Sequence, residues 1–410
     1  ESMKIVDVAE SYSEHGGGVR TYMHQKMQAA AAAGHEVVVV APGFEAREER
    51  KHGGRIIWVP GPRSPFDARY GLFNDERAIH TILDREAPDV VEGSSPWKGG
   101  RYVGSWNGSA AKSFVYHTDP VAVWPETFLG HMVGFDRIDR MFGFYWKKLA
   151  RLAESFDTTV VSGQWLAKRL RAHGLPRPVP VEFGIDKAQF SPAHRSEARR
   201  CELLRQCGLG PEAQLVIVVS RLDPEKRVLT LIEGFRKAAK KRAMGLVVYG
   251  RGALQRLVER KINRTEGVTL GGYVSGREEM AEIMASADVF LHGSAAETYG
   301  LVVAEAICSG LPVVAPSRGG AAALVTPEVG EIYGAGDAGA CAQALLRVSD
   351  RNPRLLRRAC AEAAREIRTI DQHFTGLFEL YGQLSGKPAV ERPQAQPQPR
   401  LGLVGRRAAS

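Results

Sequence analysis

A buried-strand run, a glycine-bearing or charged loop and an amphipathic helix follow one another twice in this chain, once in each half. That repetition restricts the fold to layers of parallel strands and crossover helices. Lys4–Ala9 reads as a strand, Gly16-Gly17-Gly18 as the loop and Val19–Ala33 as the helix, with Gly34 ending it and Glu36–Ala41 forming the next strand. The order returns with Leu215–Val219 as strand, a loop through Arg221 and Lys226, Val228–Lys241 as helix and Gly245–Tyr249 as strand. Two βαβ openings in 410 residues, too long for one ordinary core, predict an α/β protein of two Rossmann-like, doubly wound parallel-sheet domains. The first is expected over residues 3–184 and the second over 185–370, with the changeover at Phe183-Gly184-Ile185-Asp186. An amphipathic helix within 371–386 is expected to pack back toward the first domain, and 387–410 to be a disordered, basic, Pro/Gln-rich tail.

The formal charge of +9 is unevenly spread, because that tail alone carries five basic residues against Glu391. What remains suits a phosphate-rich ligand and a weak attraction to acidic lipid headgroups, and gives no reason to invoke nucleic acid. No stretch approaches the roughly 20 apolar residues of a membrane span. Five cysteines, odd in number and without C-x-x-C spacing, point to a reducing cytoplasm and to free core thiols. The expectation is a cytoplasmic protein, soluble or peripheral on the inner face of a membrane.

In open parallel sheets ligands bind beyond the carboxyl ends of the strands, and two such domains face each other across a cleft. Residues that carry chemistry fall at those ends: Gly17 and Gly18, His117 after Phe114-Val115-Tyr116, Arg221, Gly250 and Gly252, and Glu297 after Val289-Phe290-Leu291. Glu297 and Glu305 stand eight residues apart, with Gly300 between them and a short helix expected from Leu301 to Ser309. The first amides of that helix lack intrahelical partners and suit a diphosphate. Glu305, among Val302, Val303, Ala304, Ala306 and Ile307, needs a hydrogen-bonding partner, and a ribose diol would serve. Arg221 and Lys226 flank the turn signal Asp223-Pro224 and can present a planar fork and a point charge to phosphate oxygens. Taken singly, each has a plainer reading: a loop acid, a tight turn, solvated cations, a histidine that fixes loop backbone. No D-x-D metal motif occurs, nor any serine-hydrolase or zinc-hydrolase signature.

Val219 to Lys226 and Glu297 to Glu305, followed by Gly310-Leu311-Pro312-Val313-Val314-Ala315, resemble the retaining nucleotide-sugar glycosyltransferases of family 4, which have the GT-B fold. The resemblance covers essentially Met3 to Leu384, and its most specific part is the R-x4-K loop followed by the E-x7-E motif. It implies that Arg221 and Lys226 bind the diphosphate, that Glu297 holds the transferred sugar and that Glu305 holds the ribose. It further implies a backbone cradle at Tyr299, Gly300, Leu301 and Val302, and backbone against the base at Tyr273 and Val274. Gly17, Gly18 and Gly250 would line the donor site, and His117 would lie near the donor sugar. Such enzymes are thought to retain configuration by front-side displacement assisted by the leaving phosphate, so no protein nucleophile, metal or cofactor is expected. Two places depart from the usual pattern: Ala321-Ala322-Ala323 stand where an acid follows Gly319-Gly320, and His292-Gly293-Ser294 replace a proline-serine pair.

The implied reaction moves a hexose from a nucleotide-diphosphate sugar, with UDP chosen on commonness, to a hydroxyl acceptor. Tyr116 to Pro120 with Trp124, Phe128, Leu129 and Met132 is similar to the branch acting on diacylglycerol-type lipids. The stretch Arg137 to Leu152 mixes aromatic and basic residues that suit either an anionic bilayer or a buried helix. Alternatives are a soluble or polysaccharide glycan acceptor, nucleotide-sugar epimerisation, or a non-catalytic binder on the same fold.

Overall fold

The computed structural model describes residues 1–15 and 17–387; past Lys387 the expected basic tail lies outside them. The first half holds β1 (Lys4–Val8), β2 (Glu36–Gly43), β3 (Arg47–Lys51), β4 (Gly54–Pro60), β5 (Val90–Gly93), β6 (Ala111–Tyr116), β7 (Thr158–Val161) and β8 (Pro178–Pro180). They form one sheet in the order β3-β4-β2-β1-β5-β6-β7-β8, parallel throughout except for β3 against β4. The second half holds β9 (Gln214–Val219), β10 (Met244–Tyr249), β11 (Val268–Gly272), β12 (Val289–Leu291), β13 (Val313–Pro316) and β14 (Gly330–Tyr333). These give a fully parallel sheet in the order β11-β10-β9-β12-β13-β14. In each sheet the chain winds outward from its first strand and then returns to that strand's other side. The switch points are therefore β1/β5 and β9/β12, where a crevice opens beyond the strand ends.

The strands read as unbroken aliphatic runs because helices cover both faces. Ile5, Val39 and Val90 point to one side of the first sheet, where Met23, Met27, Phe374 and Phe378 meet them. Val6, Val38 and Phe114 point to the other, against Leu83, Trp146 and Leu149. The second sheet divides in the same manner, with Leu215 and Ile217 on one side and Val216 and Val218 on the other. β3 departs furthest from this logic. Its residues, Arg47 to Lys51, are charged and mostly exposed at the sheet edge, where such side chains block further strand pairing. The sequence pattern gave no sign of it.

The chain passes between the halves twice, and the two passages touch. Ile185 N donates to Arg368 O at 2.8 Å, and Ile185 bridges Thr369 in parallel. Thr369 then caps the last helix, Ile370–Ser385, through a reciprocal bond pair with Gln372. That helix lies against the helix Gly18–Ala32 and strands β5 and β6 of the first half. Elsewhere the second half opens with a short turn at Pro192–His194 and the helix Glu197–Gln206, capped by Ser196. The stretch expected as one helix before β7 is two, Phe135–Met141 and Gly143–Ala153, broken at Phe142.

Beneath the last helix lies a buried charge cluster. Lys26 Nζ donates to Asp7 Oδ2 and to Glu92 Oε2, both at 2.5 Å, and Tyr381 donates to the other oxygen of Glu92. Ser94 adds a bond to Asp7 at 2.5 Å. Removing the cation would leave two acids without their counter-charge in the core. Lys26→Met is expected to destabilise the protein by about 3–5 kcal/mol, read as a shift of the denaturant midpoint; an unchanged midpoint would show that the cluster bears no part in stability.

Candidate active site

The turn that opens the helix Leu301–Cys308 is set by Gly300, at φ 91°. A side chain there would also meet Ala321, whose Cα lies 2.9 Å from the position of a Cβ. The first helical bond runs from Ala304 N to Gly300 O at 3.0 Å, and the amides of Leu301, Val302 and Val303 meet no backbone carbonyl among the described residues. Three donors and the positive end of the helix dipole are therefore available together. The ring of Tyr299 turns inward, 5.8 Å from that of Phe183, so only its backbone belongs to this turn. Leu301 and Glu305 line a cavity of about 470 Å³ between the halves, with Gly18 and Tyr22 from the first and Val274 and Arg277 from the second.

On the other side of the turn, Glu297 Oε1 accepts from Lys226 Nζ at 2.5 Å and stands 3.9 Å from His292 Nε2. Burial raises the Glu297 carboxyl, but Lys226 above all, with smaller contributions from His292 and Arg221, outweighs it and its pKa falls below the usual glutamate value. Arg221 itself is 70% exposed and leans on Glu225 at 3.1 Å and Asp223 at 3.4 Å. Lys226, expected on the phosphate, is thus held by Glu297 in this structure. Gly250, at φ 135°, has room for no side chain, since a Cβ would fall 1.7 Å from Ser220 O. Tyr273 is exposed and covered by the Arg251 guanidinium 4.0 Å from its ring centroid, whereas Val274 lines the cavity.

Gly17 and Gly18 open the helix Gly18–Ala32, and a Cβ on either would meet nothing within 4 Å. His117 follows β6 directly, with its ring against Phe183 at 4.7 Å and Tyr22 at 5.4 Å. Burial, with smaller contributions from His373 and Lys26, pushes its pKa down to about 3, so the imidazole is neutral. Its Nε2 is buried without a partner among the described residues. Its carbonyl accepts from Thr298 Oγ1 at 2.7 Å, tying the end of β6 to the loop that carries Glu297.

Comparison with known proteins fixes the family. Residues 16–189 match Glycosyltransferase Family 4 and residues 202–367 match Glycosyl transferases group 1. A GDP-mannose-dependent alpha-mannosyltransferase of Mycobacterium tuberculosis is 31% identical over 332 residues, covering 79% of this chain and 82% of the relative. The chain is a family 4 glycosyltransferase. A second M. tuberculosis relative of this transferase, a GDP-mannose-dependent alpha-(1-6)-phosphatidylinositol dimannoside mannosyltransferase, is 27% identical, with 93% and 97% of the two chains covered. The sucrose-phosphate synthase of Thermosynechococcus elongatus shares the GT-B fold at a TM-score of 0.71 and 19% identity, over 94% and 99% of the chains.

Two groups in the transferase's site went unread in the sequence. His292, noted only as a departure from the family turn, is buried just past β12 beside Glu297; burial pushes it down to about 4, and its Nε2 has no hydrogen-bond partner among the described residues. Its place five residues before Glu297 was the available signal. Arg277 is held by Gln189 Oε1 at 2.6 Å and Asp186 Oδ2 at 3.2 Å, and its charge reaches Glu305.

Glu305 makes no side-chain hydrogen bond among the described residues. Burial pushes its carboxyl up to about 7 from 4.5, with Arg277 opposing. In the unliganded transferase the burial therefore costs folding nothing below pH 4.5, where the group is protonated in both states, and its full cost is reached only above about 7. Glu305→Gln is expected to raise stability by about 1–3 kcal/mol at pH 8 and to leave it unchanged at pH 4, measured by thermal unfolding. Equal shifts at both pH values would contradict this assignment of the burial cost.

Proposed function

We propose that this glycosyltransferase moves a hexose from a GDP-sugar to a hydroxyl of a membrane glycolipid precursor, with retention at the anomeric carbon and without metal or cofactor. The observation that carries the reading is the pairing of a helix start bearing three free amides with Lys226 and Arg221 on one side and an unpartnered Glu305 on the other. That arrangement suits a diphosphate with a ribose attached. The choice of a UDP donor rests on commonness alone, and the donors named for the two mycobacterial relatives move the proposal to GDP. The phosphatidylinositol dimannoside relative, covered over 97% of its length, supports a lipid acceptor.

In this reading the ribose diol donates to Glu305, and the diphosphate lies over the amides of Leu301, Val302 and Val303. Gly17 and Gly18 leave it room from the first half, and Val274 and Tyr273 place backbone beside the base past Gly250. Arg221 and Lys226 take up charge as the diphosphate leaves, charge-assisted contacts worth about 1.5–3 kcal/mol each. Glu297, already bound to Lys226, accepts from hydroxyls of the transferred sugar and is not placed as a nucleophile. The acceptor oxygen attacks the anomeric carbon from the face the diphosphate departs, and a diphosphate oxygen takes its proton. His117, neutral, donates to a sugar hydroxyl. An acceptor of this kind sits in a bilayer, so the enzyme works peripherally; no helix among the described residues is long and apolar enough to cross a membrane.

GDP is expected to raise the thermal unfolding temperature more than UDP or ADP. Lys226→Ala or Arg221→Ala should lower kcat by roughly a hundredfold to a thousandfold, and Glu297→Ala should abolish transfer while GDP still stabilises the protein. Turnover unaffected by Glu297→Ala, or stabilisation by UDP alone, would overturn the corresponding part.

A further inference from the structure

Between residues 124 and 144 the large apolar side chains Trp124, Phe128, Leu129, Met132, Met141 and Phe144 stand exposed, Met132 at 83% and Phe144 at 70%. Trp124, Phe128 and Met132 recur every fourth residue along continuous helical chain from Ala122 to Val133, so they lie on one stripe. The rings of Trp124 and Phe128 stack with centroids 6.3 Å apart. The helix Gly143–Ala153 is two-faced. It buries Tyr145, Trp146, Leu149 and Ala153, and shows Phe144, Lys147, Lys148 and Arg151 to solvent at helical spacing. Those three cations, and Arg137 and Arg140 on the preceding helix, make no ion pair or hydrogen bond among the described residues. Beside them an apolar-walled cavity of about 480 Å³ opens between Trp97, Tyr145, Leu149 and Leu152.

Exposed apolar patches of this kind mark interaction surfaces, and the unpaired cations select the partner. A second copy docking face to face would set these arginines and lysines against their own kind. A bilayer with acidic headgroups supplies apolar depth and negative charge in one layer, as interfacial amphipathic helices require. We propose that the exposed faces of the helices spanning residues 122–153 dock on an anionic phospholipid bilayer. This docking rests on the lipid-acceptor reading, since it brings the enzyme to the layer that holds its acceptor. The same segment reaches across to the second half, where Arg318 donates to Glu126 Oε1 at 3.0 Å and Arg227 meets His131 Nε2 at 2.6 Å. The surface and the cleft therefore share one piece of chain.

The test is co-sedimentation of the full chain with phosphatidylcholine vesicles with and without phosphatidylglycerol, at low and high salt. Binding is expected only with phosphatidylglycerol and should weaken with salt. It should fall at least roughly tenfold in a Phe128→Ser/Met132→Ser/Phe144→Ser variant and in a Lys147→Glu/Lys148→Glu/Arg151→Glu variant. GDP should stabilise both variants as it does the parent, which shows that they fold. Three results would overturn the proposal: no binding to anionic vesicles, unchanged binding by both variants, or binding lost only when residues 388–410 are removed. A dimer seen by light scattering in the parent and lost in the apolar variant would overturn it too, by giving the patch to a second copy. Vesicle binding without transfer from any GDP-sugar would sink the functional reading while leaving the docking surface in place.

Discussion

Backbone amides that find no carbonyl must find another partner, and the start of the helix Leu301–Cys308 gathers three of them at the mouth of an interdomain crevice. The surrounding structure serves that exposure. Gly300 makes a turn that a side chain would block against Ala321, and Gly320 N closes the floor by donating to Glu297 O at 2.6 Å. The parallel sheet brings β9, β10 and β12 to an end beside the same point, so that Arg221, Gly250 and Glu297 arrive from separate stretches of chain. What the helix start lacks in negative charge a diphosphate would supply.

The two glutamates that bracket this turn differ in the way their environments dictate. Glu297 has an ammonium at 2.5 Å and stays ionised despite burial. Glu305 has no such partner, and its carboxyl is pushed up to about 7. A buried acid without a partner is costly unless a ligand completes it. One acid is therefore charge-paired within the protein, and the other is not.

The strands were legible because a parallel sheet covered on both faces needs continuous aliphatic runs, and Glu36 to Ala41 or Leu215 to Val219 can be little else. The acids at 297 and 305 were legible because the turn and helix between them are local. Long-range partners were not. Nothing near Lys226 in the sequence announces Glu297, and nothing near Glu126 announces Arg318; both pairs form only when loops from different strands converge. The edge strand Arg47–Lys51 escaped because pairing, not hydrophobic pattern, makes it a strand. The segment before β7 was half read: Tyr145 and Trp146 belong to the core as an aromatic stripe usually does, while Phe144 on the same helix faces solvent.

The two halves meet through more than the cleft. Arg169 gathers Asp119, Glu126 and Asp139 beneath the segment that spans 122–141, and Arg318 reaches Glu126 and Asp139 from the second half. With Thr298 on the carbonyl of His117, these bonds join loops of the two halves to one another. A crystal structure of the protein with GDP tests the central claim most directly. The account requires the ribose hydroxyls within hydrogen-bonding distance of Glu305 and diphosphate oxygens on the amides of Leu301, Val302 and Val303. A nucleotide seated in the first half, or one whose ribose turns away from Glu305, would contradict it.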